Sequence, residues 1–139
     1  MRWRSVSWVI LLACVILSAA PVLAENGTVT VTGTVPLAIY AVSASHVSFH
    51  SATISWRTNG DATSQVFYDT EFHSNLEDYR YRTRQRTKPV TEHKYRLVRL
   101  SSFTTYHYRT KSVAIVDGTE FIAISDGYTF TTHPWWWRW

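Results

Sequence analysis

The sequence predicts an antiparallel β-sandwich of about seven strands. Short stretches in which apolar and polar residues alternate recur along the chain, and Asn-Gly or Asp-Gly pairs stand between several of them. No stretch shows a helical period with caps, and the nearest candidate, 72–79, is short and lies between strand-like segments. Apolar residues make up 45% of the chain, which suits a packed globular core.

The predicted strands begin after Pro36. The first spans 37–42, and in the second Trp56 and its apolar neighbours alternate with polar residues, which gives one buried face. Asn59 and Gly60 accept positive φ at little cost, so a hairpin turn is predicted before the third strand. The remaining strands are predicted in five segments: 66–68, 79–88, 95–100, 106–116 and 121–132.

Two further glycine pairs shape the end of the predicted sandwich. Asp117-Gly118 is a strong signal for a β-hairpin between the last two strands. Asp126-Gly127 predicts a bulge or kink within the final segment.

Two motifs resemble the fibronectin type III family. Ser51–Trp56 is similar to the second strand of that family, in which the tryptophan is buried, and the spacing from Leu100 to Tyr106 is similar to its tyrosine corner. The resemblance covers roughly 37–132 and implies an immunoglobulin-like sandwich of two antiparallel sheets. Five residues are expected in its core: Trp56, Tyr68, Leu97, Leu100 and Tyr106.

The resemblance is closest to one variant of the family. Segments 64–69 and 128–132 look like the version found in exported bacterial proteins, which is similar to the N-terminal domain of purple acid phosphatases. Ser102-Phe103 stands where the family usually has Pro-Gly, and Thr110 takes an inward position where an aliphatic residue is usual. Such sandwiches host many unrelated functions, so the resemblance implies a module rather than a chemistry.

The first 24 residues predict a secretory signal peptide. Arg2 and Arg4 precede an apolar run, and small residues end it, so cleavage is expected after Ala24. An uncleaved anchor helix and lipidation at Cys14 are the alternatives. Cleavage would remove the only cysteine, and with it any disulfide or thiol chemistry. The Thr/Val-rich segment 25–36 is expected to be an edge strand or a linker.

Composition and motifs predict no enzyme. The net charge of +4 includes both leader arginines, and the remainder is too near neutral to predict a nucleic-acid binder. Of six scattered histidines only His46 and His50 are four residues apart, and they lie in strand or loop sequence. No nucleophile elbow is present. We therefore expect no catalytic residue, no metal and no cofactor. Three acidic residues are expected in a solvated loop, as an alternative to an acid–base pair or a calcium site: Glu71, Glu77 and Asp78.

Basic residues alternate along 79–88. On a single strand they would share one face at about 6.6 Å spacing and could follow a polyanion. The alternative is a charged edge that prevents pairing with another chain. The row consists of Arg80, Arg82, Arg84, Arg86 and Lys88.

The Trp-rich tail, 133–139, follows the last predicted strand. Exposing several indole rings to water is costly, and Trp with Arg favours a bilayer interface. The alternatives are rings folded back on the sandwich, a partner's pocket, or the start of a lost spanning segment. The expected contact residues are Trp135, Trp136, Trp137, Arg138 and Trp139.

Together these features predict an exported, non-catalytic module that acts in adhesion, binding or spacing at the cell surface. Its partner is expected to be a surface or envelope protein or a glycan, and the tail is expected to reach a membrane interface. The alternatives are an accessory domain of a purple acid phosphatase-like metallohydrolase and a polyanion-binding module that uses 80–88.

Overall fold

The computed structural model describes residues 35–136, and its strands form an antiparallel β-sandwich. The leader, segment 25–34 and the last three residues lie outside the described part. Seven strands and one 3₁₀ turn follow one another in this order: β1 (Ile39–Ser45), β2 (Ser51–Asp69), the 3₁₀ turn (Leu76–Asp78), β3 (Tyr81–Arg82), β4 (Arg86–Val98), β5 (Thr105–Val116), β6 (Thr119–Ile124) and β7 (Tyr128–Thr131).

Strand β2 takes part in both layers of the sandwich. Its first half pairs with β1 and β4, and this layer is called the first sheet. Its second half pairs with β3 and β5, and β5 pairs in turn with β6 and β7 to complete the second sheet. All these pairings are antiparallel, so the predicted all-β, immunoglobulin-like sandwich is confirmed.

The core lies between the inward faces of the two sheets. In β2, Trp56 and its neighbours alternate in and out, and the inward set packs against rings from β5 and β7. Of the five residues expected in the core, four are less than 10% exposed and Tyr68 is half-buried against the ring of Tyr81. The buried cluster consists of Ala52, Ile54, Trp56, Val66, Leu97, Leu100, Tyr106, Tyr108 and Phe130.

The tyrosine corner is present. The hydroxyl of Tyr106 accepts a hydrogen bond of 2.9 Å from the backbone N–H of Ser101, five residues upstream. Leu100 is buried beside it, and its N–H bonds to the carbonyl of His50. The bond therefore fixes the chain where it crosses from the first sheet to the second.

The hairpin turn expected at 59–61 is wrong. β2 runs through this segment without reversing: its pairing with β1 ends at Thr58, its register with β4 shifts between Arg57 and Ala62, and it changes sheets only between Ser64 and Gln65. Asn59 uses its side chain as a tether: its Nδ2 donates to the carbonyl of Pro36, and its Oδ1 accepts from the N–H of Ala38. The Thr58 hydroxyl donates to the carbonyl of Gly60 at 2.7 Å and supports β2 where its register with β4 shifts.

The single strand expected over 79–88 is also wrong. Only Tyr81–Arg82 pairs with the second sheet, 83–85 belongs to no strand, and β4 begins at Arg86. This segment carries the chain from the second sheet to the first, and Thr83 holds the crossing through paired hydrogen bonds with the backbone of Val66. The five cations therefore do not share one strand face.

The glycine pairs near the end act as predicted. Asp117 and Gly118 have φ of 49° and 76°, the left-handed pair that a two-residue hairpin between β5 and β6 needs. The break at 125–127 separates β6 from β7. At Gly127 an added Cβ would lie 2.6 Å from the ring edge of Phe72, so a larger residue there would displace this exposed ring.

Candidate binding surfaces

Three exposed aromatic rings meet at one end of the sandwich and form the terminal aromatic patch: Phe103, Trp135 and Trp136. Phe103 is 71% exposed, and the two indoles are 64% and 60% exposed. The ring of Trp136 lies 6.3 Å from that of Phe103 and 5.7 Å from that of Trp135, centroid to centroid. The rings contact one another while most of their surface faces water.

The backbone around the patch is well held. The N–H of Phe103 donates to the carbonyl of His133 at 3.2 Å, and the N–H of Thr132 donates to the carbonyl of Thr104 at 2.9 Å. The N–H of His133 donates to the carbonyl of Ser48. The loop before β5 and the chain after β7 therefore present their rings from a fixed base.

The structure places two predicted tail residues in this patch, and adds a third ring that the sequence did not mark as a contact. Phe103 has φ of 50°, at the position where the resembled family usually has glycine. The replacement of that glycine by Phe103 is the feature of the sequence that could have indicated this third ring. Trp137, Arg138 and Trp139 lie outside the described residues.

A second exposed apolar surface covers the β5–β6 hairpin. Ile115, Ile122 and Ile124 are 75%, 53% and 45% exposed. Val113 pairs directly with Ile122 across the two strands. This aliphatic surface carries no aromatic anchor of the kind found in the terminal patch.

The outer face of the first sheet carries a basic depression of about 620 Å³. Its walls and floor consist of His46, Ser51, Thr53, Arg86, Lys94 and Arg96. Arg96 lies directly across from Thr53 in the β2–β4 ladder, and Lys94 occupies the same face two residues earlier. Three cations therefore surround a floor of hydroxyl groups, and no carboxylate belongs to the lining.

Arg86 is held in place at the edge of this depression. Its Nη1 donates to the backbone carbonyl of Lys94 at 2.9 Å, and its guanidinium lies 4.2 Å from the centroid of the Tyr95 ring. The Tyr95 hydroxyl donates in turn to the carbonyl of Arg84. The guanidinium is thus oriented by the first sheet itself.

The rest of the predicted basic row is dispersed. Arg80 lies 5.4 Å from the ring centroid of Tyr81, and Arg82 forms an exposed ion pair with Glu77 at 3.3 Å. Arg84 and Lys88 line a shallow depression of about 420 Å³ that shares Arg86 with the larger one. Only this part of the row joins the basic face.

Asp69, at the end of β2, is the most connected carboxylate of the described chain. It accepts hydrogen bonds from the N–H groups of Thr70 and Arg80 at 2.7 and 3.0 Å, and lies 3.2 Å from Nε2 of His73. Burial alone would raise the pKa of Asp69, but the two backbone donors and His73 outweigh it, so the pKa lies below its ordinary 3.8. These bonds close the 70–80 loop.

The side chains considered as catalytic or metal-binding candidates do not lie close together. His46 contacts Ser45, and His50 contacts Ser48. The three acidic residues of the 71–78 loop are exposed, as expected. Within residues 35–136, no three His, Cys, Asp or Glu side chains form a group that could hold a metal ion. No helix in the same part of the chain is long and apolar enough to cross a membrane.

Comparison with known proteins identifies the fold. No protein-family model matches the chain, and no curated protein sequence matches it either. The sensor domain of the anti-sigma factor RsgI4 from Pseudobacteroides cellulosolvens is similar, with a TM-score of 0.50 and 20% identity over 73% of this chain and 99% of that one. The third fibronectin type III domain of human KIAA0343 protein has a TM-score of 0.44 and 16% identity over 80% and 94%. The first similarity shows a shared fold and nothing finer.

Proposed function

We propose that the protein is a non-catalytic binding module at a cell surface, and that the terminal aromatic patch contacts a membrane interface. The observation that carries the proposal is the cluster of three rings, each more than half exposed, on a hydrogen-bonded base. Contiguous exposed apolar surface of this kind marks an interaction site in soluble domains.

A membrane interface suits these rings better than plain water or a dry core. Indole combines a large apolar face with a polar N–H, and it settles at the depth of lipid headgroups. The two indole planes of Trp135 and Trp136 meet at 86°, so one flat protein surface would not cover both. A headgroup layer surrounds rings in any orientation. The sequence continues with Trp137, Arg138 and Trp139, which adds rings and a cation for lipid phosphate.

The location rests on the predicted signal peptide, which would bring the domain to the outer side of a membrane. The sensor domain of RsgI4 has the same fold, and a sensor is a non-catalytic role, which supports the functional class. The link to purple acid phosphatases rests on segments 64–69 and 128–132 alone. An accessory domain of such a hydrolase would also lack activity of its own.

Vesicle binding tests the proposal. Trp56 is buried and its Nε1 donates to Ser112, so its emission should stay constant while the exposed indoles respond. We expect a blue shift and co-sedimentation when the mature chain meets vesicles of mixed phosphatidylcholine and phosphatidylglycerol. Phe103→Ser with Trp136→Ser should weaken binding. Ile122→Ser with Ile124→Ser, a matched loss of apolar surface at the β5–β6 hairpin, should not. Equal loss in both double variants would overturn the assignment to the terminal patch.

The non-catalytic assignment has a separate test. The mature chain should not hydrolyse phosphate esters when zinc, iron or manganese is supplied. Metal-dependent turnover that disappears in Asp69→Asn and His73→Gln variants would overturn it.

A further inference from the structure

We propose that the outer face of the first sheet binds an anionic polysaccharide through Arg86, Lys94 and Arg96. This site is distinct from the terminal aromatic patch and from the row of cations along 80–88 that the sequence suggested. It arises because the ladder between β2 and β4 brings residues from distant parts of the chain onto one face.

In the described part of the chain, no ion pair neutralises these three cations, because the one carboxylate on the same face of β4, Glu92, is paired with Arg57. Among residues 35–136, no carboxylate lies within ion-pair distance of Arg86, Lys94 or Arg96, whereas Arg57 and Arg82 each have an acidic partner. Like charges on neighbouring positions repel one another, so a bound anion would relieve that repulsion. The three cations and His46 face the same open depression.

The shape of the site suits a chain of anionic groups rather than a single enclosed ion. Lys94 and Arg96 are about 6.6 Å apart along the strand, by twice the strand rise. Arg86 extends the basic surface into the neighbouring depression with Arg84 and Lys88, and Lys94 extends it into a third depression of about 350 Å³. The second depression therefore lengthens the basic surface, whereas the third also contains Glu92, which is paired with Arg57.

The lining favours a polysaccharide over a nucleic acid. The floor is formed by the largely buried Ser51 and Thr53, and the Ser51 hydroxyl already bonds to that of Ser48 at 2.9 Å, so the Thr53 hydroxyl is the group that can exchange a hydrogen bond with a sugar. No Phe, Tyr or Trp lines the main depression, and the Tyr95 ring in the neighbouring one already stacks with the Arg86 guanidinium, so bases would find no free stacking platform.

Binding of three polymers tests the proposal: heparin for sulfated sugars, polygalacturonate for carboxylated sugars, and duplex DNA for phosphates. We expect the mature chain to bind at least one of the two polysaccharides more tightly than DNA. The affinity should fall steeply between about 50 and 200 mM salt, because each cationic contact releases counterions. No binding to either polysaccharide at the lower salt, or tighter binding to DNA, would overturn the proposal.

Variants locate the site. Lys94→Ser with Arg96→Ser should weaken polysaccharide binding by about tenfold or more and flatten its salt dependence. Arg82→Ser with Arg84→Ser removes the same charge from the predicted row and should have a smaller effect. Arg80→Ser with Lys111→Ser removes the same charge from the segment before β3 and from β5, and should have no effect. If the Arg82 and Arg84 changes cost as much as the Lys94 and Arg96 changes, the row rather than the face is the site.

Two controls distinguish a loss of binding from a loss of folding. All substituted positions except Lys111 are exposed, so the unfolding midpoints of the variants should match that of the parent chain. If Lys94→Ser with Arg96→Ser fails to fold, Lys94→Gln with Arg96→Gln, which keeps longer side chains on the strand, replaces it. Phe103→Ser with Trp136→Ser should leave polysaccharide binding intact, so failure of the membrane proposal would not affect this one.

Discussion

The imidazole of His93 lies parallel to the indole of Trp56 inside the sandwich, with ring centroids 4.9 Å apart and planes inclined by 5°. Nε2 of His93 is 2.8 Å from the hydroxyl of Thr58, and Nδ1 is 2.7 Å from that of Ser64. The Thr58 hydroxyl gives its one hydrogen to the carbonyl of Gly60, so it accepts from Nε2–H. Ser64 then donates to Nδ1, and the ring is neutral.

This arrangement predicts a pH-dependent stability. Burial lowers the pKa of His93 below its ordinary 6.5, so the unfolded chain takes up this proton at a higher pH than the folded chain. The contribution of the neutral ring is complete above about pH 6.5, by the same reference value, and is lost as the pH falls toward the folded pKa. The slope should approach at most about 1.4 kcal/mol per pH unit. Denaturant unfolding across this range measures it.

A pair of substitutions isolates the contribution of His93. His93→Gln should flatten the pH dependence over this range, although the variant will be less stable at every pH because the side chain is buried. His50→Gln, at an exposed position, removes one histidine and should keep the slope of the parent chain. Identical slopes in His93→Gln and the parent would show that another group causes the dependence.

Trp56 should be the most costly core residue to truncate. It is 1% exposed, stacks on His93 and donates to Ser112 at 3.0 Å. Trp56→Ala should lower the free energy of unfolding by about 3–5 kcal/mol, which is a large part of the stability of a small domain. A loss below about 1 kcal/mol in denaturant melts would contradict a core role.

Much of the fold could be predicted from local pattern. Alternation around Trp56 marks a buried face, and Asp117-Gly118 marks a hairpin, because both signals depend only on neighbouring residues. The same information cannot show that β2 serves two sheets. Asn59-Gly60 has the composition of a turn, but it lies inside β2, where Asn59 bonds to Pro36 and Ala38 and holds the chain just before β1.

The basic face of the first sheet likewise could not be predicted from local sequence pattern. The alternating cations in 79–88 suggested one strand, yet the chain must cross between sheets there, which separates Arg80 and Arg82 from Arg86. The grouping of Arg86 with Lys94 and Arg96 depends on the β2–β4 register and on the bond from Arg86 to the Lys94 carbonyl. Neither can be inferred from spacing along the sequence.

The tyrosine corner should make a measurable but moderate contribution. Tyr106→Phe removes the acceptor for the N–H of Ser101 and leaves the buried ring in place. The expected loss is about 1 kcal/mol, the usual net value of one hydrogen bond. Tyr128→Phe, at a partly exposed ring in β7, is the matched control and should be nearly neutral. Equal effects of the two changes would show that the corner bond adds nothing.

Thr110 offers the opposite case, a position where a substitution should stabilise the domain. Its side chain is fully buried, and within the described residues its hydroxyl has no hydrogen-bond partner. Burying an unsatisfied hydroxyl costs free energy, so the nearly isosteric Thr110→Val should raise the free energy of unfolding by about 1 kcal/mol. Ser112, two residues along the same strand face and equally buried, accepts from Trp56, so Ser112→Ala should lower it by a similar amount. Urea melts that show a shifted midpoint at constant slope measure both changes. If Thr110→Val destabilises the chain, the Thr110 hydroxyl makes a favourable hydrogen bond in the folded protein and the prediction is wrong.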